Sequence, residues 1–292
     1  MSDIRREIRK KKLIDFFENF KSNKMGLLGG VVLIFFIIVA LIGPVIFPYD
    51  SMVFGEVGDV LNPPTNQHIL GTDDLGRDVF RNLISGSRVS LFIGILATLI
   101  SMLLGTVFGI TSGYYGKKVD IIIMRITDFF LVIPWLPLVL VLAAILGNSI
   151  WNIILVIGLT SWAGTARVVR SQTLSIKEKP FIERAVAIGS NSRHIMVKHI
   201  LPNVFPLVFA NTVLISAVAI LSETTLSFLG LGDASRPSWG MMLHYAFESG
   251  AISIGAYWYF LPPGICVVLV VLAFTFLGYA FDEVLNPKLK KR

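Results

Sequence analysis

The chain has 292 residues, 54% of them hydrophobic and only 15% charged, with a mean hydropathy of +0.73. Soluble domains carry about a quarter charged residues, so this composition excludes an ordinary soluble fold and points to an integral membrane protein. The net charge of +7 comes without a nucleic-acid motif or aromatic interleaving. It therefore reads as a topology signal and not as a surface for DNA or RNA.

Residues 1–25 form a basic segment with eight Lys/Arg, including "RREIRKKK". The uncharged run Gly26–Phe47 follows; as a helix of about 33 Å it is long enough to cross a hydrocarbon core of about 30 Å. It is followed by "GPVIFPYD" and not by a small-residue cleavage site, so it reads as an uncleaved first span. Five further apolar segments, Val89–Ile110, Ile121–Leu146, Ile150–Ala166, Val204–Leu229 and Phe260–Phe281, bring the predicted total to six transmembrane helices. Pro134 and Pro137 are expected to kink the third. Six spans place both termini on one side. That side carries 22 Lys/Arg against four opposite (Arg77, Arg81, Arg88 and Arg236), which predicts cytoplasmic termini in a multi-pass cell-membrane protein. The organisation is then one all-α integral membrane domain, 26–287. It has an outer loop 48–88, a cytoplasmic loop 167–203, an outer excursion 230–259 and a cytoplasmic tail 288–292. Cys266 lies in an apolar run with no disulfide or metal partner and reads as a small buried hydrophobe.

Three groups of polar residues invite a chemical reading. In the outer loop, "GTDDLGRD" places Asp73, Asp74 and Asp78 close together. The i,i+3 spacings Asp74–Arg77 and Asp78–Arg81 suit ion pairs on a short helix capped by Thr72, a docking or structural element in preference to a metal or acid–base site. Within the spans, Asp128 has Arg125 one turn back, and Glu223 precedes Thr224 and Thr225. Charges in the bilayer cost at least about 2.5–3.5 kcal/mol and face the bundle interior, as pathway groups or as internal ties. An amide replacement that preserves transport but lowers the melting temperature marks a tie. Among the histidines, His194 and His199 are five apart, about 140° around an α-helix, which does not fit a zinc-protease helix. His68 and His244, both predicted outside, are placed where they could meet. There is no phosphate-binding loop, since Gly116-Lys117 lacks the upstream glycine and the following Ser/Thr.

The most informative stretch is "FIERAVAIGSNSRHIMVKHILPN", from Phe181 to Asn203. Pro180 suits a helix first turn, and Phe181, Ala185 and Ile188 recur at i, i+4 and i+7. Gly189 permits a sharp or left-handed turn. Ser190, Asn191 and Ser192 offer caps for a second short helix, closed by Leu201-Pro202 before the fifth span. The pattern predicts an amphipathic helix–turn–helix on the inner face, either an interfacial loop or a docking element.

Glu183, Ala185, Gly189 and Pro202 resemble the "EAA" loop of ATP-binding-cassette importer permeases, with Arg184 at the place of the first alanine. "HILGTDDLGRDVFRNLISGSRVSL", "ETTLSFLGLG" and "PSWGMML" resemble the second, C-type permease subunit of the dipeptide/oligopeptide transporter family. "LGYAFDEVLNPKL" is a looser match, with Tyr279 in place of the usual acid and Asn286-Pro287 where Asp-Pro often stands. The resemblance covers nearly all of residues 20–290. It implies the type I importer permease fold, with a cytoplasmic coupling helix between spans four and five that uses Phe181, Glu183, Ala185, Gly189, Leu201 and Pro202. It also implies a homologous second permease subunit and two ATPase subunits that use ATP and magnesium, with no cofactor bound by this chain. A solute-binding protein would dock outside on Thr72–Ser90 and Asp233–Glu248. Peptides are the implied solute, with nickel or oligosaccharides as alternatives within the family. An ion-coupled secondary transporter using Asp128 and Glu223 is the rival class.

Overall fold

The computed structural model describes residues 7, 18, 20–48 and 59–285. The basic run and the Asn286-Pro287 tail discussed above lie outside the described residues. Every named element is helical: α1 (Lys24–Ile46), α2 (Val79–Tyr115), α3 (Lys117–Val132), α4 (Trp135–Leu146), α5 (Ile150–Lys177), α6 (Pro180–Ala187), α7 (Leu201–Leu226), α8 (Trp239–Glu248) and α9 (Tyr257–Leu285). Short π-helical segments, Ile195–Ile200 and Ser227–Leu231, flank α7.

α1 starts where Asn23 accepts a hydrogen bond from the Gly26 amide, at 2.8 Å. Gly26, Gly29, Leu33, Phe36, Ala40 and Gly43 form its single buried stripe. The remaining faces expose Ile34, Phe35, Ile38 and Leu41, as a lipid-bathed helix does. α2 begins ten residues before the predicted second span, because Asp78 caps it by accepting from the Arg81 amide. The apolar-run criterion sees only the hydrocarbon-level part of a 37-residue helix about 55 Å long.

The centre of the molecule is the packing of α2 against α5. Gly105, Gly109 and Gly113 recur every fourth residue, and the β-carbons they lack would lie within 2.5–2.8 Å of Thr165, Val169 and Thr173. Such small-residue stripes let membrane helices approach closely where lipid supplies no hydrophobic drive.

The third predicted span is bent by 92° between α3 and α4. Pro134 sits at the break, while Pro137 falls in the first turn of α4, where a missing N–H leaves no carbonyl unpaired. The end of α2 lies beside the end of α5, since Lys177 Nζ donates to the Tyr114 carbonyl at 2.6 Å. The start of α5 lies at the opposite end, where Trp151 meets Phe92 edge-on with ring centres 5.9 Å apart. The bent pair therefore carries the chain from one end to the other and makes the sixth crossing, beside the five helices that are each long and apolar enough to span. The start of α1 and the end of α9 meet through Asn23 Nδ2 and Glu283 Oε2 at 2.7 Å. They share one end with α6. The 59–78 segment and α8 occupy the other, where Trp239 is fully buried and donates to the Leu83 carbonyl.

Candidate functional site

α6 follows α5 after two residues. It presents Ile182 and Ala185 inward, into a buried cluster with Ile176, Ile195 and Ile200. Its outward face carries Phe181, Glu183, Arg184 and Val186, followed by Ile188, which is 81% exposed. The helix ends in a Schellman turn. The Ser190 amide donates to the Ala185 carbonyl at 3.0 Å, the Gly189 amide to Val186 at 2.9 Å, and Gly189 has φ +80°. A β-carbon at Gly189 would meet nothing within 4 Å, so backbone handedness and not crowding requires glycine there.

Asn191 then caps the next helix by accepting from the His194 amide at 2.7 Å. Here the structure differs from the predicted helix–turn–helix: no break occurs at Leu201-Pro202. The chain widens into a π-helical turn, with the Leu201 amide donating to Met196, and continues directly into α7. Pro202 has no N–H and crowds the carbonyl four residues back, a strain that one extra residue per turn relieves. The second short helix is thus the base of α7. The same winding stacks residues five apart, which brings the His194 and His199 rings to 5.6 Å instead of 140° apart. Beside α6 opens a cavity of about 510 Å³ lined by Tyr114, Tyr115, Lys177, Glu183 and Val186.

The charged groups within the spans are arranged differently from expectation. Asp128 pairs with Arg167 on α5 at 2.7 Å, not with Arg125, which lies exposed on its own helix. Both partners of the pair are about half exposed, so it is a surface tie in this chain. A second bridge went unread in the sequence. Asp120, in the first turn of α3, takes two bonds of 2.5 Å from the Arg170 guanidinium and a third from the Ser112 hydroxyl. Its one sequence signal was an isolated acid just after the Gly116 break. The two Asp–Arg bridges hold α3 against α5. Asp120→Asn is expected to destabilise the chain by about 1–3 kcal/mol and Asp128→Asn by no more than about 1 kcal/mol, because the first site is three-bonded and the second is wet. Melting curves in detergent check the order, and a larger loss for Asp128→Asn would refute it. Glu223 is fully buried, and its Oε1 accepts from the Ser227 hydroxyl at 2.9 Å. Among the described residues its Oε2 has no partner.

At the opposite end, the three carboxylates have separate tasks. Asp73 is the buried one, accepting from the Leu75 and Arg77 amides, Arg77 Nε and Asn82 Nδ2 at 2.8–2.9 Å. Burial pushes its carboxyl above the usual range, while Arg77 and the two amides pull against that shift. Asp74 instead accepts from the Tyr259 hydroxyl at 2.7 Å. Asp78 caps α2 and meets His68 Nδ1 at 2.9 Å. The predicted Asp74–Arg77 and Asp78–Arg81 pairs do not form, and Thr72 caps no helix. It bridges to Asp78 as extended backbone, and that turn carries Arg77 back onto Asp73. His68 and His244 do not meet, for His244 Nδ1 contacts the Phe228 carbonyl. Asp73→Ala is expected to cost about 3 kcal/mol by removing the buried acceptor shared by Arg77 Nε, Asn82 Nδ2 and the Leu75 and Arg77 amides, whereas Asp74→Ala should cost about 1 kcal/mol. Equal melting temperatures for the two variants would contradict this assignment.

Residues 105–291 match the binding-protein-dependent transport system inner membrane component family, and residues 3–64 match the N-terminal transmembrane domain of oligopeptide transport permease C. The chain is 36% identical over 278 residues to the dipeptide transport system permease protein DppC of Bacillus subtilis, covering 95% of this chain and 86% of that one. It is 33% identical over 282 residues to the oligopeptide permease OppC of the same organism, covering 95% and 90%. To the glutathione permease GsiD of Escherichia coli it is 35% identical over 277 residues, covering 94% and 90%.

Proposed function

The chain belongs to the binding-protein-dependent transport system inner membrane components, and from that premise we propose that it forms half of an ATP-driven import pathway for short peptides. It is a multi-pass membrane permease subunit. The peptide reading draws its support from the relatives, which are named for dipeptides, oligopeptides and glutathione. In this reading a homologous second permease completes the pathway. Two ATPase subunits bind ATP and magnesium at the α6 end, and this chain binds no cofactor. A solute-binding protein docks at the end opposite α6, on Thr72–Ser90 and Asp233–Glu248. Both termini lie in the cytoplasm of a cell whose inner or plasma membrane holds the complex, as the Lys/Arg asymmetry favours.

The observation that carries the coupling role is α6. Its apolar outer residues are held on a turn fixed by Gly189, between the end of α5 and the unbroken base of α7. Closure of an ATPase dimer against that face would move two spanning helices as a unit.

The test is uptake of labelled dipeptides into proteoliposomes holding the complex purified through a tag on this chain. ATP-dependent uptake with co-purifying ATPases and a second permease is the expected result. Uptake of nickel or an oligosaccharide but no peptide would overturn the substrate class. Uptake driven by an ion gradient without ATP would overturn the mechanism.

A further inference from the structure

At the end opposite α6, a cavity of about 570 Å³ opens between the end of α1, α2, the first turn of α5 and the segment after α7. Arg88 and Arg236 line it, together with Phe92, Trp151 and Asp233. Neither arginine has an ion-pair partner among the described residues. Asp233 Oδ1 accepts from the Ser235 amide and hydroxyl of its own loop at 2.9 and 2.5 Å. The cavity is thus lined by two guanidinium groups without an ion-pair partner, each of a type that takes an oxyanion bidentately.

Its surroundings say where that oxyanion comes from. Phe92, Ile95, Leu99, Leu103 and Val107 form an exposed apolar stripe along α2. Such a stripe is apolar enough to pack against acyl chains. Arg88 stands one helical turn beyond its last member, Phe92, and Trp151, 62% exposed, sits at the same level on α5. Tryptophan at a span end and arginine just above an apolar face mark the depth of lipid headgroups. We propose that Arg88 and Arg236 bind the phosphate of an anionic phospholipid, whose acyl chains lie along the α2 stripe. Soluble phosphates and carboxylates share the oxyanion chemistry but would leave the stripe unused.

Native mass spectrometry of the purified full chain in detergent tests this without any transport assay. The probes are dioleoylphosphatidylglycerol, dioleoylglycerol, inorganic phosphate and dialanine. Wild type is expected to hold one phosphatidylglycerol at least about tenfold more tightly than Arg88→Gln/Arg236→Gln, since each basic residue near the surface contributes appreciably to anionic-lipid attraction. Arg81→Gln, which alters an exposed arginine outside the cavity, should match wild type. Dioleoylglycerol should not distinguish the proteins. If the double variant fails to fold, Arg236→Gln alone, on an exposed loop, carries the test with an intermediate loss expected. Equal phosphatidylglycerol binding by wild type and variant overturns the proposal. So does tighter binding of inorganic phosphate or dialanine than of the lipid, which would assign a soluble anion. Displacement of the lipid when the partner permease assembles would assign the cavity to protein contact instead, and overturns it as well.

Discussion

Gly109→Leu is expected to abolish accumulation of folded protein, the largest structural effect of any single change considered. A β-carbon there would stand 2.6 Å from the Val169 β-carbon and 2.7 Å from the Ala166 carbonyl oxygen. A side chain could rotate away, but a helix carbonyl cannot, so α2 and α5 must separate. Separation also opens the layers above and below, Gly105 on Thr165 and Gly113 on Thr173. Overpacking of one site costs about 1–3 kcal/mol, and three linked layers should bring the loss to about 3 kcal/mol or more. That consumes much of a typical stability of about 5–15 kcal/mol. The control is Gly164→Ala on α5, where an added β-carbon meets nothing within 4 Å. Removing a helix-interior glycine there should be neutral or stabilising by about 0.5–1 kcal/mol. Detergent melting curves and monodisperse yield decide the matter: a Gly109→Leu protein as stable as Gly164→Ala would mean that α2 and α5 do not pack as described.

That stripe went unread in the sequence, although three glycines at a spacing of four are a packing signal. The apolar runs themselves transferred well. α1 begins and ends within two residues of the predicted first span because Lys24 and Pro48 bound an uncharged stretch. The fold class and the six crossings follow from such runs, which report directly on the solvent each segment needs. What failed was the choice of partners across space. Asp128 had a basic residue one turn back, yet antiparallel α5 brings Arg167 closer in practice, and no spacing rule contains that fact. Asp73 and Asp74 are chemically identical neighbours, and only the return of Asn82 and the approach of Tyr259 distinguish the buried carboxylate from the bridging one. The Leu201-Pro202 stop was a sound reading of proline in isolation. It missed that a π-turn absorbs a proline at modest cost when the flanking helices are already held by packing.

Gly189→Ile should give the largest functional loss, at least about tenfold in uptake per ATP hydrolysed, while the spans stay folded. The residue sits at φ +80°, where an L-residue costs about 1–2 kcal/mol and a β-branched one is most strained. Space around it is open, so the strain is relieved locally by unwinding the last turn of α6. That breaks the Ser190–Ala185 and Gly189–Val186 bonds and rotates Val186 and Ile188 away from the face they share with Phe181. Ile182 and Ala185, anchored in the cluster beneath, keep the rest of α6 in place, so the melting temperature should fall little. Gly189→Asn separates handedness from the mere presence of a side chain, because asparagine visits the left-handed region readily. It should transport close to wild type. ATPase activity and uptake measured on the same proteoliposomes give the ratio. If the isoleucine and asparagine variants couple equally well, the orientation of the α6 face is not what links hydrolysis to transport. If only isoleucine uncouples, then a single backbone handedness sets the angle at which two spanning helices are driven.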